Sequence, residues 1–464
     1  MRAPQVHFRL YRSEVNALLR LALPIVFGQL GIMLMGVADT VQVGHMARDA
    51  KLALDAAGVA NGVWITVAIL GQNTLGVIAP LISKANEERD RRLVARLVRT
   101  ALRVALLAGL GCAAVLVLLA LRFDWFGQKP AVEALASPYL LIVTVSTLPL
   151  FFFLALRQLT DGLGHTRVAM SITLGAVLLN VLLNHLLING VWIFPEWGLN
   201  GAGVATLVCR TAMALALFSY VTLTPRFGFF LRKTAVGGAY NPNLLLRKVL
   251  SIGIPSGFQG FFEIAVFAFA ALMVGWLGEN QLAAHVIAIN PASVTYMMVT
   301  GLAAAGGIRV GAGLGQRDRA AVLKAGTTAL ALGGLFMGAC CLLFLFANEQ
   351  IVSLYIRDRE VAPIAAGLVF IAGFFQLFDG IQAVSLGLLR GMADVNLPTV
   401  VTLVAYWVIG LPVGALLTFR FGLDVTGIWL GLTAGLMAAA VLLSWRFVAK
   451  ARRLTFAPKT VGAK

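Results

Sequence analysis

The sequence predicts an all-α integral membrane protein with twelve transmembrane helices, arranged as two six-helix lobes related by a pseudo-two-fold axis along the membrane normal. Three observations carry this expectation. The 464-residue chain is 59% hydrophobic and only 12% charged, with a mean hydropathy of +0.88, whereas soluble domains hold about 25% charged residues. Twelve apolar stretches reach the roughly 20 residues that cross a bilayer. The chain also contains itself twice, and each copy holds six of those stretches.

In order, the spans are read at 17–43, 54–82, 93–121, 134–158, 168–190, 200–222, 248–276, 281–308, 322–347, 362–389, 397–419 and 425–447. The first has the length of a full helix and no early small-residue cleavage site, so it is expected to remain as a span rather than be removed as a signal peptide. It carries Pro24 and Asp39. The second and third are separated by a basic run, the fifth carries Asn180 and Asn184, and the sixth Thr206 and Arg210. Residues 1–222 form the expected N-terminal lobe. The segment 223–247, with Arg226, Arg232, Lys233 and Arg247, is the expected cytoplasmic linker, and 248–464 the C-terminal lobe with a basic tail. The seventh span carries Pro255 and Glu263, and the tenth Asp379.

Orientation follows from Lys and Arg. With both termini cytoplasmic, 29 of the 37 basic residues fall in the loops and tails of that side, seven on the other (Arg48, Lys51, Arg122, Lys129, Arg357, Arg359 and Arg420), and Arg210 inside a span. This is a positive-inside distribution, so the net charge of +17 reflects orientation in a membrane and not nucleic-acid binding.

The internal repeat is read from residues 89–102, RDRRLVARLVRTAL, and 317–330, RDRAAVLKAGTTAL, which share seven of fourteen positions without a gap. Pro24 in LALPIVFGQ pairs with Pro255 in IGIPSGFQG, and Gly198 with Gly422. An even number of spans per copy makes the repeats parallel, with a site expected between two bundles. The two prolines each remove a backbone donor. They are read either as points of helix bending during transport or as static packing kinks.

Asp39, Glu263 and Asp379 are the lone charges of the apolar windows 21–44, 249–276 and 361–389. A carboxylate at a span centre costs about 2.5–3.5 kcal/mol and marks ion or proton pathways. Ser256, Gln259 and Glu263 share a helix face, as do Gln376, Asp379 and Gln382, which suggests a hydrated cavity near the midplane. In the N-terminal half, Asn180 and Asn184 lie one turn apart, and Thr206 is on the next span. Neutral oxygens beside the single charge of Asp39 suit a sodium ion. An asparagine pair serving as interhelical glue, an interfacial Asp39, and Arg210 as counter-ion or as a snorkelling side chain stay open. Cys112, Cys209, Cys340 and Cys341 all fall in apolar spans and imply no disulfide or metal framework.

Two other classes make different demands. A lipid-linked saccharide flippase calls for a cationic cavity, to which Arg210 alone contributes. A membrane-embedded enzyme calls for a catalytic motif, but His7, His45, His165, His185 and His285 lack metal-binding spacing, and there is no serine elbow or HExxH.

The strings LALPIVFGQ and GVADTVQVG in the first span, LRQLTDGLG after the fourth, LLNVLLN, GLNGAGVAT, GFFEIAVFA, SLGLLRGMAD and YWVIGLP together resemble the multidrug and toxic compound extrusion (MATE) family, NorM-type branch, over nearly the whole chain. The resemblance implies antiport of lipophilic cationic drugs or dyes against Na+ or H+, without a further cofactor. It also implies a monomer, multi-pass in the bacterial inner membrane. Glu263 and Asp379 match the C-lobe coupling acids, which together form one candidate Na+ site. Asp39, Asn180 and Asn184 match the N-lobe polar site, with Thr206 and the carbonyl of Ala202 as further ligands. The expected substrate cavity holds Phe261, Phe262 and Phe375 with Gln259, Gln376 and Gln382. Phe375 stands where some relatives carry tyrosine, which leaves a ring face for cation–π contact but no phenol.

Overall fold

The computed structural model describes residues 3–46, 49–192, 194–232 and 241–456, with side chains from residue 11 onward. Arg48, residues 233–240 of the expected linker (Lys233 among them) and the tail from residue 457 lie outside the described residues. Among the described residues, twelve helices are long and apolar enough to cross a membrane: α1 (Tyr11–Gly44), α2 (Ala50–Glu87), α3 (Arg91–Leu121), α4 (Pro130–Gly162), α5 (Thr166–Asn189), α6 (Gly198–Leu223), α7 (Pro242–Gly275), α8 (Glu279–Gly315), α9 (Arg319–Phe346), α10 (Val361–Gly391), α11 (Asn396–Arg420) and α12 (Asp424–Arg452). Most run past the apolar windows because backbone hydrogen bonding continues into the polar flanks; hydropathy marks only the part matched to the bilayer.

Proline sets the irregularities. In α2 the helix breaks at Val77, where Pro80 cannot donate to Gly76, and the neighbouring amide of Ala79 donates instead to Gln158 Oε1 at 3.3 Å. In α4 the break is at Ser146, where Pro149 has no N–H to give the Val145 carbonyl. In α11 the turns widen to π-helix over Val404–Gly410 and again over Leu416–Arg420, on either side of a short α segment carrying Pro412. Pro24 and Pro255 sit well inside continuous helices, so neither ends its helix. Both are surrounded by enough neighbouring turns to hold the helical path.

The chain clusters into two compact units, Met1–Val26 with Ser83–Asp90 and Ala265–Lys464, and Phe27–Ile82 with Arg91–Ile264. Helices α1 and α7 are therefore each divided between them. In the first unit, Gly387 and Gly391 of α10 face the backbone carbonyls of Ala303 and Gly307 on α8, and Gly431 and Gly435 of α12 lie against Gly410, Gly414 and Ala405 of α11. These small residues let membrane helices approach closely. Around them packs a core that includes Phe344, Leu368, Phe375, Tyr406 and Trp429. Glu14 pairs with Arg309 through two 2.8 Å bonds, and Asp394 with Arg446 at 2.8 Å and Lys450 at 3.1 Å. In the second unit, Phe123, Phe151, Phe153 and Phe227 are fully buried, Gly71 admits the Phe151 ring, and Gly253 and Gly257 of α7 lie on Thr74 and Leu70 of α2.

The repeat is visible in backbone geometry. Arg89 and Arg317 occupy matching loops with φ of 59° and 57°, and Gly198, the first residue of α6, and Gly422, two residues before α12, have φ of 51° and 69°. At the two arginines this left-handed conformation is unusual for a side-chain-bearing residue. Its recurrence at an offset of 228 residues marks one loop design used twice.

Candidate functional site

Asp39 is five residues from the end of α1, on a helix with no other described charge near it. Three neutral side chains converge on its carboxylate: Asn180 Nδ2 donates to Oδ1 at 3.0 Å, Asn184 Nδ2 to the same oxygen at 2.6 Å, and Thr206 Oγ1 to Oδ2 at 3.0 Å. The helical spacing of Asn180 and Asn184 on α5 and the position of Thr206 on the adjacent α6 make this convergence, since α5 and α6 pack directly. Both asparagines are fully buried. Asn184 Oδ1 is buried without a hydrogen-bond partner, an unusual cost in a protein interior. Ala202, one turn before Thr206, is also fully buried.

The donor set is compatible with a hard monovalent cation: one carboxylate, two amide oxygens and a hydroxyl. As arranged, the amides donate to Asp39 and solvate it as an anion. Rotating each amide by half a turn exchanges donor for acceptor in the same volume, which also gives the orphaned Asn184 oxygen a role. One turn outward, Gln42 Nε2 donates to the Val181 carbonyl at 3.1 Å. There a cavity of about 280 Å³, lined by Gln42, His45, Val181, His185 and Asn189, opens beside the site.

The two other acids lie in different units. Glu263 is half-buried on α7 in the Phe27–Ile82 and Arg91–Ile264 unit, on the face where Ser256 and Gln259 are buried. Phe262 contacts the rings of Phe258 and Phe261, and Phe261 and Phe262 are both partly exposed. Asp379 is 4% exposed on α10. Around it Gln376 Nε2 donates to Thr295 Oγ1, and Gln382 Oε1 accepts the Tyr406 hydroxyl at 2.6 Å. Gln376 Oε1 and Gln382 Nε2 have no partner, so both glutamines keep one polar atom for a ligand or water. Sequence spacing found the stripe but not Thr295 or Tyr406. An intramembrane tyrosine needs a partner for its hydroxyl, and that was the available signal.

Phe375 departs from its expected place on a cavity wall. It is 2% exposed and lies in the core between Phe267 and Trp429, with ring centroids at 6.0 and 5.5 Å. Trp429 in turn donates to His285 Nδ1 at 3.2 Å. Phe375 lies one turn before Asp379 on the packed face of α10, while its neighbour Phe374 is 46% exposed, so helical proximity to the acid did not translate into access.

A family profile named MatE matches residues 24–186 and again 255–416. The two matches begin at Pro24 and Pro255, the prolines that pair in the internal repeat. The chain belongs to the MatE family. Among sequence relatives, the probable multidrug resistance protein NorM of Pseudomonas putida is 36% identical over 449 residues, covering 95% of this chain and 96% of that protein. The multidrug resistance protein NorM of Burkholderia vietnamiensis is 32% identical over 447 residues, covering 95% of each. The fold also matches solved MatE structures. A MATE transporter in a bent conformation aligns with a TM-score of 0.86 at 18% identity over 96% of this chain and 97% of that one. The eukaryotic MATE transporter AtDTX14 aligns with a TM-score of 0.84 at 19% identity over 96% and 98%. The NorM-type resemblance and the twelve-helix, two-lobe fold of the sequence reading therefore hold.

Proposed function

We propose that this MatE protein is a multidrug efflux transporter that exports lipophilic organic cations in exchange for Na+ and/or H+ by alternating access. The observation that carries the coupling is Asp39, a membrane carboxylate solvated entirely by neutral side chains with a buried acceptor to spare. Such a group gains most by binding a cation or proton, because nothing in contact with it neutralises its charge. Asp379, between two glutamines that each keep an open polar atom, is the second candidate, and Glu263 the third. The relatives' name, multidrug resistance protein, supports drug export at 32–36% identity.

In this reading a drug and a coupling ion exchange because each favours a different state of the same protein. One pH unit supplies about 1.4 kcal/mol per proton, and 100 mV about 2.3 kcal/mol per charge, so one or two ions drive appreciable export. The protein works as a monomer in a bacterial inner membrane with both termini cytoplasmic, and no enzymatic step is involved. The test is efflux of a fluorescent lipophilic cation from proteoliposomes under a sodium gradient and, separately, a pH gradient. Export under at least one is expected. No export under either refutes the reading and favours a lipid-linked substrate.

A further inference from the structure

We propose that the arginine face at the start of α3 binds an anionic phospholipid, with the headgroup phosphate on the arginines and an acyl chain along the leucines of the same face. The proposal goes beyond the efflux reading and does not depend on which drug or ion that reading names.

Arg92, Arg96, Arg99 and Arg103 follow one another at intervals of four, three and four, which keeps them on one stripe of α3. Leu106, Leu107 and Leu110 continue that stripe and are exposed, whereas Val94, Val98, Ala101 and Ala105 on the opposite face are buried. The depth at which arginine gives way to leucine can be placed. At its far end α3 is followed by Arg122, whose guanidinium lies 6.0 Å from the ring of the exposed Trp125, an interfacial anchor. Counting back from Leu121 the roughly 20 residues that cross the hydrocarbon reaches about Leu102. Arg103 therefore stands at the hydrocarbon edge, Arg99 and Arg96 lie successively one turn further out, and the leucines lie at the depth of the acyl chains.

The surrounding segments supply no negative charge: residues 91–122 and 223–248 contain neither Asp nor Glu. Arg92 and Arg103 are exposed and make no ion pair among the described residues. Asp161, at the end of α4 on the same side, is buried and paired with Arg157 at 3.1 Å. Arg99 is fixed in place, since its Nη2 donates to the carbonyls of Leu231 at 3.4 Å and Arg232 at 2.6 Å. These carbonyls end the short helix Pro225–Leu231, which packs on α3 and is anchored by the buried Phe227, edge-on to the His165 ring at 5.2 Å. The exposed Arg232 is thereby held beside Arg99. Charges that served orientation alone would be satisfied in a loop, in water. Here three of the four arginines lie within the helix, and a charge at the hydrocarbon edge is costly unless an anion meets it. A guanidinium matches a phosphate fork to fork, and a ligand that covers both the arginines and the leucines must carry a phosphate and a hydrocarbon chain.

The experiment titrates detergent-purified protein with phosphatidylglycerol, with phosphatidylcholine of the same chains, and with inorganic phosphate. Bound lipid is read by native mass spectrometry, and stability by the midpoint of thermal unfolding. The wild type is expected to prefer phosphatidylglycerol by about tenfold or more and to unfold at a higher midpoint with it. The double variant Arg92→Gln, Arg103→Gln should weaken phosphatidylglycerol by about thirtyfold, the loss of two arginines beside a lipid phosphate, and leave phosphatidylcholine within about twofold. Arg103→Lys, which keeps the charge and loses the planar fork, should fall between the two. Removing two exposed arginines at the end of α12 instead, in Arg452→Gln, Arg453→Gln, should leave both lipids within about threefold. Equal weakening in the two double variants overturns the site in favour of general attraction to a basic surface, and unchanged phosphatidylglycerol binding in Arg92→Gln, Arg103→Gln overturns it outright. A wild type without preference between the lipids overturns it without any variant, as does inorganic phosphate that raises the midpoint as far as phosphatidylglycerol does.

Discussion

Replacing Asp39 with asparagine tests the coupling site with little cost to the fold. The carboxylate accepts from Asn180, Asn184 and Thr206 at 3.0, 2.6 and 3.0 Å. In the Asp39→Asn variant the retained oxygen still accepts from both asparagines. The new amide donates to the Thr206 hydroxyl, which turns its own proton away. Shape and hydrogen bonding are kept and one charge is lost. For a monovalent cation about 3 Å from that charge at an effective dielectric of about 20, the lost attraction is about 5 kcal/mol. If desolvation of the ion cancels half of this, roughly a hundredfold in ion affinity remains. The assay is the half-saturating concentration of the driving ion for dye efflux from proteoliposomes, with thermal unfolding as the folding control. A folded Asp39→Asn protein whose ion half-saturation stays within about threefold of wild type would refute the assignment of this site to coupling.

Three further outcomes are expected. Tyr406→Phe leaves Gln382 without its 2.6 Å hydrogen bond in a fully buried setting. The protein should lose about 1 kcal/mol of stability, read as a lower midpoint in thermal unfolding. Gly387→Val places a side chain against the Ala303 carbonyl and forces α8 and α10 apart, at a cost of about 1–3 kcal/mol or more; sharply reduced yield of monodisperse protein checks it, and normal yield counts against the close packing. Asp394, between α10 and α11, is pushed up by burial but held below its ordinary value of 3.8 by hydrogen bonds from Arg446 and Lys450 and by their charges. A carboxylate with a lowered folded value stabilises fully above its unfolded value and loses that contribution as pH falls through the folded one. Stability should therefore drop from about pH 4 downward, and Asp394→Asn should flatten that part of a melting-temperature profile against pH.

Much of the site was legible because it obeys helical spacing. Asn180 and Asn184 are one turn apart, Asp39 is the lone charge of its window, and Thr206 lies on the next span; those features survive in any packing of α1, α5 and α6 that buries polar groups together. Glu263 and Asp379 were legible as lone acids of their windows for the same reason, and their flanking glutamines by the same period, but only Asp379 is fully buried. Phe375 was not, because one turn of proximity to an acid says nothing about which neighbour covers a ring. Glu14 and Arg309 lie 295 residues apart, and no local pattern connects them.

The sequence by itself determined that this chain crosses a membrane twelve times, that it is duplicated, and which carboxylates are the lone charges of their apolar windows. These follow from hydropathy and from the 3.6-residue period, which depend on neighbours in the chain alone. Tertiary structure decided the rest. Breaks at Ser146 and Val77 turn proline's missing donors into side-chain contacts, and glycines on α10 and α12 let backbones touch. Arg210 stands on Trp64 and Ser146. Each of those outcomes depends on which surfaces meet across hundreds of residues, where free energy is set by contact and burial instead of by sequence spacing.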